Sequence, residues 1–142
     1  MIILDTNVIS AVMRPRTNKA VVQWLNRQPA ETIWTTSVTL FELRYGIEKL
    51  VAGDQRAELE ASWQEFGSEI FGDRILNFDL RAARAAAELA GLRAKRTRIV
   101  DMRDTFIAGI AISRGATLAT RNTRDFADAG LPLVDPWQGG AD

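Results

Sequence analysis

The chain has 142 residues, 18 basic and 18 acidic, so its formal net charge is zero, and it contains neither histidine nor cysteine. The two missing residue types exclude thiol nucleophiles, Ser-His-Asp triads, imidazole general bases and the nitrogen and sulfur ligand sets of zinc. The charge balance argues against a uniformly basic nucleic-acid coat protein.

What remains for chemistry is carboxylate, amide, hydroxyl and guanidinium, and an all-oxygen ligand set suits magnesium or manganese. No Gly-x-x-x-x-Gly-Lys-Ser/Thr loop and no Gly-x-Gly-x-x-Gly turn is present, which argues against a phosphate-cradling nucleotide site. The length fits one domain, residues 1–137, with a loose tail over 138–142. No apolar run is long enough to span a bilayer and no basic-then-apolar leader opens the chain, so a cytoplasmic location is the expectation.

Met1-Ile2-Ile3-Leu4 is an uninterrupted apolar run that stops at Asp5-Thr6-Asn7. Such a run reads as a buried strand, and the helical stretch after it places Asp5 at the carboxyl end of a sheet. In open α/β folds ligands bind at that edge. Thr17 to Gln28 reads as a helix, and Ile33-Trp34-Thr35-Thr36 as a second strand. Ser37 or Thr39 can cap the next helix, which carries Leu40, Leu43, Ile47 and Leu50 at helical spacing. After a break at Gly53-Asp54, one long helix is expected from about Gln55 to Phe71.

Arg74 to Phe78 is a third strand candidate, and Asp79 caps an alanine-rich helix to about Arg96. A further helix runs from Asp101 to Arg114 and ends on Gly115. Ala116 to Thr120 forms a fourth strand, and Leu131 to Val134 a short last one whose proline marks an edge. Strands alternating with helices predict an α/β domain in three layers, helices on both faces of a parallel sheet of four to five strands.

On this topology Asp5, Glu42, Asp104, Asn7, Thr120, Asn122 and Asp125 gather at one sheet edge. Carboxylates converging there repel unless one keeps its proton or a cation joins them. Each acid also has an ordinary reading. Asp5 and Asp125 can cap helices, Glu42 can complete a capping box with Thr39, and Asp104 can be a first-turn anion. Arg93, Lys95, Arg96, Arg98 and Arg103 form a basic cluster, with Arg121 and Arg124 further on; they read either as solvated helix ends or as a track for a phosphate backbone.

The segments Ile3-Leu4-Asp5-Thr6-Asn7-Val8-Ile9-Ser10, Thr39-Leu40-Phe41-Glu42-Leu43-Arg44-Tyr45-Gly46, Asp104 to Ala111 and Ala119 to Phe126, with the final Asp135-Pro136-Trp137, resemble PIN-domain proteins in order and spacing. The resemblance is to the VapC toxins of bacterial toxin–antitoxin systems, and within them the FitB-like subgroup. It implies a magnesium-dependent ribonuclease, with manganese as a substitute, acting on an RNA substrate. It also implies a homodimer silenced by a cognate antitoxin, with promoter DNA reached only through that antitoxin and no membrane association.

Carried over by position, the catalytic residues are Asp5, Glu42 and Asp104. Asp5 and Asp104 hold the metal, and Asn7, Thr120, Asn122 and Asp125 support them. The chain departs from the family at Asn122, where an aspartate is usual, which favours one metal ion over two. Arg98, Arg103, Arg121 and Arg124 are the RNA-contact candidates. Trp63, Phe66 and Phe71 read as core residues, although the resemblance places an antitoxin groove near their helices. A haloacid-dehalogenase pattern would need an acid where Asn7 stands. The alternative of a different class is a non-catalytic PIN-like module that binds RNA or protein.

Overall fold

The computed structural model describes residues 1–138. The expected tail over 138–142 lies outside these residues apart from Gln138, whose backbone N–H closes a turn on the Asp135 carbonyl at 3.1 Å. Five strands, β1 (Ile2–Leu4), β2 (Ile33–Thr36), β3 (Ile75–Leu76), β4 (Thr117–Ala119) and β5 (Leu133–Val134), form one sheet in the order β3-β2-β1-β4-β5. Every pairing is parallel. Around it run α1 (Thr6–Val12), α2 (Lys19–Asn26), α3 (Ser37–Glu48), α4 (Asp54–Glu65), α5 (Leu80–Lys95), α6 (Met102–Arg114) and α7 (Thr123–Phe126).

The three layers follow from the pleat. Ile3 pairs with Leu118 and Leu4 with Ala119, so side chains alternate between the faces along both strands. Ile3 and Leu118 belong to a core shared with Leu89, Ile107 and Ile110 of α5 and α6. Leu4 and Ala119 belong to the opposite core, with Val8, Val21, Trp24, Leu43 and Phe66. A central strand covered on both sides has no polar face, which is why its sequence shows no alternation. Among the described residues no helix is long and apolar enough to cross a membrane.

Several helix ends are chosen as the sequence suggests. The Asp79 carboxylate accepts from the Ala82 N–H, Asp101 accepts from the Arg103 N–H, and Gly115 ends α6 in the left-handed conformation at φ 59°. Three local expectations need correction. The cap of α3 is Thr36, the last strand residue, whose hydroxyl accepts from the Thr39 N–H, so the strand passes into the helix without a loop. The long helix after Gly53 is interrupted: α4 ends at Glu65, and a π-helical turn over Phe66–Ile70 follows, closed by the Phe71 N–H on the Phe66 carbonyl. That extra residue per turn buries both Phe66 and Phe71, which lie five apart. The third strand keeps only Ile75 and Leu76 of the expected five residues.

The α5–α6 contact is unusually close. A Cβ added at Gly109 would lie 2.6 Å from the Ala82 carbonyl oxygen and 2.6 Å from the Ala86 Cβ, so only glycine fits. Gly109→Ala is expected to destabilise the chain by about 1–3 kcal/mol through this overpacking. Chemical denaturation of the two proteins measures the difference.

Candidate active site

Parallel pairing puts the carboxyl ends of β1, β2 and β4 at one edge, where Asp5, the start of α3 and Thr120 follow them. A cleft of about 530 Å³ opens there, lined among others by Asp5, Asn7, Glu42, Asp101, Asp104, Arg121 and Asn122. The convergence expected from the motifs is therefore present for the three principal acids. Thr120 stands behind the cleft wall, and Asp125 does not line the cleft.

Asp5 is only 2% exposed. Its Oδ1 accepts from the Thr6 backbone N–H at 2.8 Å, and its Oδ2 accepts from Asn7 Nδ2 at 3.0 Å and from the Thr120 hydroxyl at 2.7 Å. Burial pushes the Asp5 carboxyl up from its ordinary range, and these three donors oppose it. The bond to the Thr6 N–H shows that Asp5 does cap α1. Capping occupies part of its acceptor capacity and leaves the carboxylate on the cleft. Asn7 adds a second tie, its Oδ1 accepting from the Arg121 N–H at 3.1 Å across to the loop after β4.

Glu42 is not part of a capping box, because Thr36 rather than Thr39 occupies the cap. Its Oε1 accepts from the Thr6 hydroxyl at 2.9 Å. The Thr6 and Thr39 hydroxyl oxygens are 3.3 Å apart, as are those of Thr39 and Thr36. Three threonine hydroxyls thus stand in a row behind Glu42, with that of Thr36 donating to Thr39. Burial raises the Glu42 carboxyl, and Thr6 and the nearby Arg103, with Nε 3.9 Å from Oε2, pull it back.

Asp104 lies in the first turn of α6. It is pushed up to about 7, first by burial and then by the negative charges of Asp5 and Glu42. The charge of Asp125 raises both Asp5 and Asp104, but Asp125 is no helix cap: Asn122 holds the cap position of α7 without a side-chain bond. The Asn122 backbone N–H instead donates to the Thr120 hydroxyl at 3.0 Å.

The basic candidates divide. Arg121 is exposed on the cleft with its guanidinium 4.9 Å from the centre of the Trp137 ring, and Arg124 is exposed beyond it. Arg103 pairs with Asp101 at 3.1 Å, and Arg98 pairs with Asp128 at 3.3 Å and bonds the Arg124 carbonyl. Arg93, read from sequence as part of a basic cluster that is either solvated or a track for a phosphate backbone, is 3% exposed. Thr6, Thr39 and Asp101 are site residues that the motifs did not single out for that role. Thr6 had a signal only in following Asp5, and Asp101 only in standing at the start of the helix that carries Asp104.

Residues 2–131 match the PIN domain, and the chain belongs to that family. It is 38% identical to the plasmid stability protein StbB of Pseudomonas syringae pv. tomato, over 97% of this chain and 99% of StbB. It is 34% identical to the VapC ribonuclease Y4jK of Sinorhizobium fredii, over 97% of this chain and 99% of Y4jK. Among solved structures, a chain of FitAB bound to a DNA fragment superposes with a TM-score of 0.87 at 33% identity, covering 96% of both chains.

Among the described residues no three acidic side chains are arranged to hold an ion by themselves. The donor set still fits a hard cation. It is all oxygen, it carries crowded negative charge, and magnesium commonly uses one or two carboxylates and keeps several waters.

The raised Asp104 has a consequence for stability. Its folded value of about 7 lies above the roughly 3.9 of an unfolded aspartate, so the folded chain holds the extra proton between those values. The group's favourable contribution is complete below about pH 4 and is lost as pH rises through about 7. Asp104→Asn is expected to raise the melting temperature of the metal-free chain at pH 8 and to narrow that advantage at pH 4. Thermal denaturation of both proteins across this range measures it.

Proposed function

We propose that the chain is a magnesium-dependent ribonuclease acting as the toxin of a toxin–antitoxin pair in the cytoplasm. The observation that carries this reading is the meeting of Asp5, Glu42 and Asp104 on one cleft of a PIN domain. The ribonuclease name of Y4jK and the two-component FitAB complex support the activity and the antitoxin partner. DNA contact is assigned to the antitoxin.

Asp5 and Asp104 would hold the ion. When bound, it supplies Lewis-acid polarisation of the scissile phosphate and stabilises charge on the departing oxygen. Thr120 and Asn7 aim the Asp5 carboxylate and oppose the rise that burial imposes on it. Glu42, held by Thr6 on one oxygen, takes the proton of the attacking water on the other. Arg121 and Arg124 steer the RNA backbone. Arg103 and Arg98 hold neighbouring carboxylates instead.

The homodimer is assigned to the face of α3 that carries Phe41 and Tyr45, 56% and 48% exposed, whose rings lie parallel at 6.0 Å. Phe41→Ser is expected to shift the wild-type dimer towards monomer in sedimentation velocity. A wild-type monomer removes the assignment.

Cleavage of mixed cellular RNA by purified protein, with magnesium, with manganese and with EDTA, tests the activity. Metal-dependent cleavage is expected, abolished in Asp5→Asn and Asp104→Asn. A paired Arg121→Ala/Arg124→Ala change is expected to weaken RNA binding and to flatten its salt dependence by about two counterions. Absence of cleavage by folded, antitoxin-free protein would favour a non-catalytic binding module.

A further inference from the structure

Arg93 lies on the last turn of α5, outside the cleft, and is the one buried cation among the described residues. Its guanidinium makes four hydrogen bonds, to α6, to α7 and to the 3-10 turn Ala127–Ala129 that follows α7. Nε and Nη2 grip the Asp128 carboxylate at 3.0 and 2.9 Å, Nη1 donates to the Thr105 hydroxyl at 2.8 Å, and Nη2 also donates to the Asp125 carbonyl at 2.8 Å. Thr105 directly follows Asp104 in the first turn of α6. Asp125 and Asp128 close the segment that begins at Thr120 and Asn122.

These contacts answer a local need. At the end of α7 the Arg124 carbonyl accepts from the Ala127 N–H, whereas the later carbonyls look outside the helix for partners. The Asp125 carbonyl takes Arg93, and the Arg124 carbonyl takes Arg98 at 2.9 Å. Arg98 can reach because the chain reverses at Thr97, with φ 52° and the Arg98 N–H on the Arg93 carbonyl at 2.8 Å. Stability alone is a weak reason for such an arrangement, since a buried ion pair often contributes no more than apolar residues of similar volume. What the pair adds is a fixed distance between α6 and α7.

We infer that Arg93 is a positioning residue for the candidate metal site: through Thr105 and Asp125 it fixes where the first turn of α6 and the loop after β4 stand, and so where Asp104 stands relative to Asp5. The inference rests on the metal-dependent reading given above. Arg93 touches neither substrate nor ion.

Mn2+ titration followed by electron paramagnetic resonance, on RNA-free protein, tests it. The variants are Arg93→Met/Asp128→Leu, Arg93→Lys and, as a control elsewhere in the core of α5, Leu89→Ala, all at a temperature where circular dichroism shows them folded. The double variant, which removes both charges together, is expected to bind Mn2+ at least about tenfold more weakly. Arg93→Lys keeps the charge but not the planar fork and is expected to fall between. It carries the test by itself if the double variant does not fold. Leu89→Ala is expected to lower the melting temperature and leave Mn2+ affinity unchanged. Wild-type affinity in the Arg93 variants, or an equal loss in Leu89→Ala, overturns the inference alone. A wild-type chain that binds no Mn2+ overturns the metal reading and the inference with it.

Discussion

A carboxylate kept out of water at the end of a central strand is the constraint on which this molecule turns. Asp5 can stay there only because a backbone amide, an amide side chain and a hydroxyl meet it from three directions. The donors come from α1 and from the residue after β4, which is 115 positions away in sequence. Satisfying one charge therefore ties the first crossover to the last half of the domain. No buried side-chain nitrogen or oxygen among the described residues is left without a partner, so the polar edge is as completely specified as the apolar core.

Around that point the fold arranges a deliberate conflict. Glu42 and Asp104 come from helices on opposite faces of the sheet, and each brings a charge that the others resist. The structure moderates this with hydroxyls and with Arg103, and it leaves Asp104 the least compensated. Such crowding lowers the stability of the protein as pH rises, a deficit that a bound cation would offset. Stability and chemistry make opposed demands on the same side chain.

Much of this was legible in the sequence because it is encoded locally. Ile3 and Leu4 announce a strand buried on both faces, Asp79 and Asp101 sit where caps belong, and Gly115 stops α6. The edge position of the acids followed from strand–helix alternation alone. What failed depended on distant partners. Thr39 has the spacing of a cap to Glu42, yet α3 already starts at Ser37, directly after the strand, and Thr36 takes the role; Glu42 then finds Thr6, 36 positions earlier. The π-helical turn after Glu65 follows from burying two phenylalanines that helical periodicity would set apart. Arg93 looked like one basic residue among several. Its burial depends on Asp128 and Thr105, which no spacing rule connects to it.

The seam at Gly109 gives α6 the character of a lever. Its fulcrum is where helix backbone meets Ala82 and Ala86 without intervening side chains. Asp104 rides five residues towards the amino end, an arm of about 7.5 Å at the usual helical rise. On such an arm, a tilt of roughly 8° carries the carboxylate by about 1 Å, a displacement large enough to spoil a reacting geometry. The smallest residues in the domain, buried and without functional groups, thus set the tolerance of its most charged corner. A side chain added at this one point of backbone contact would be read out at the cleft.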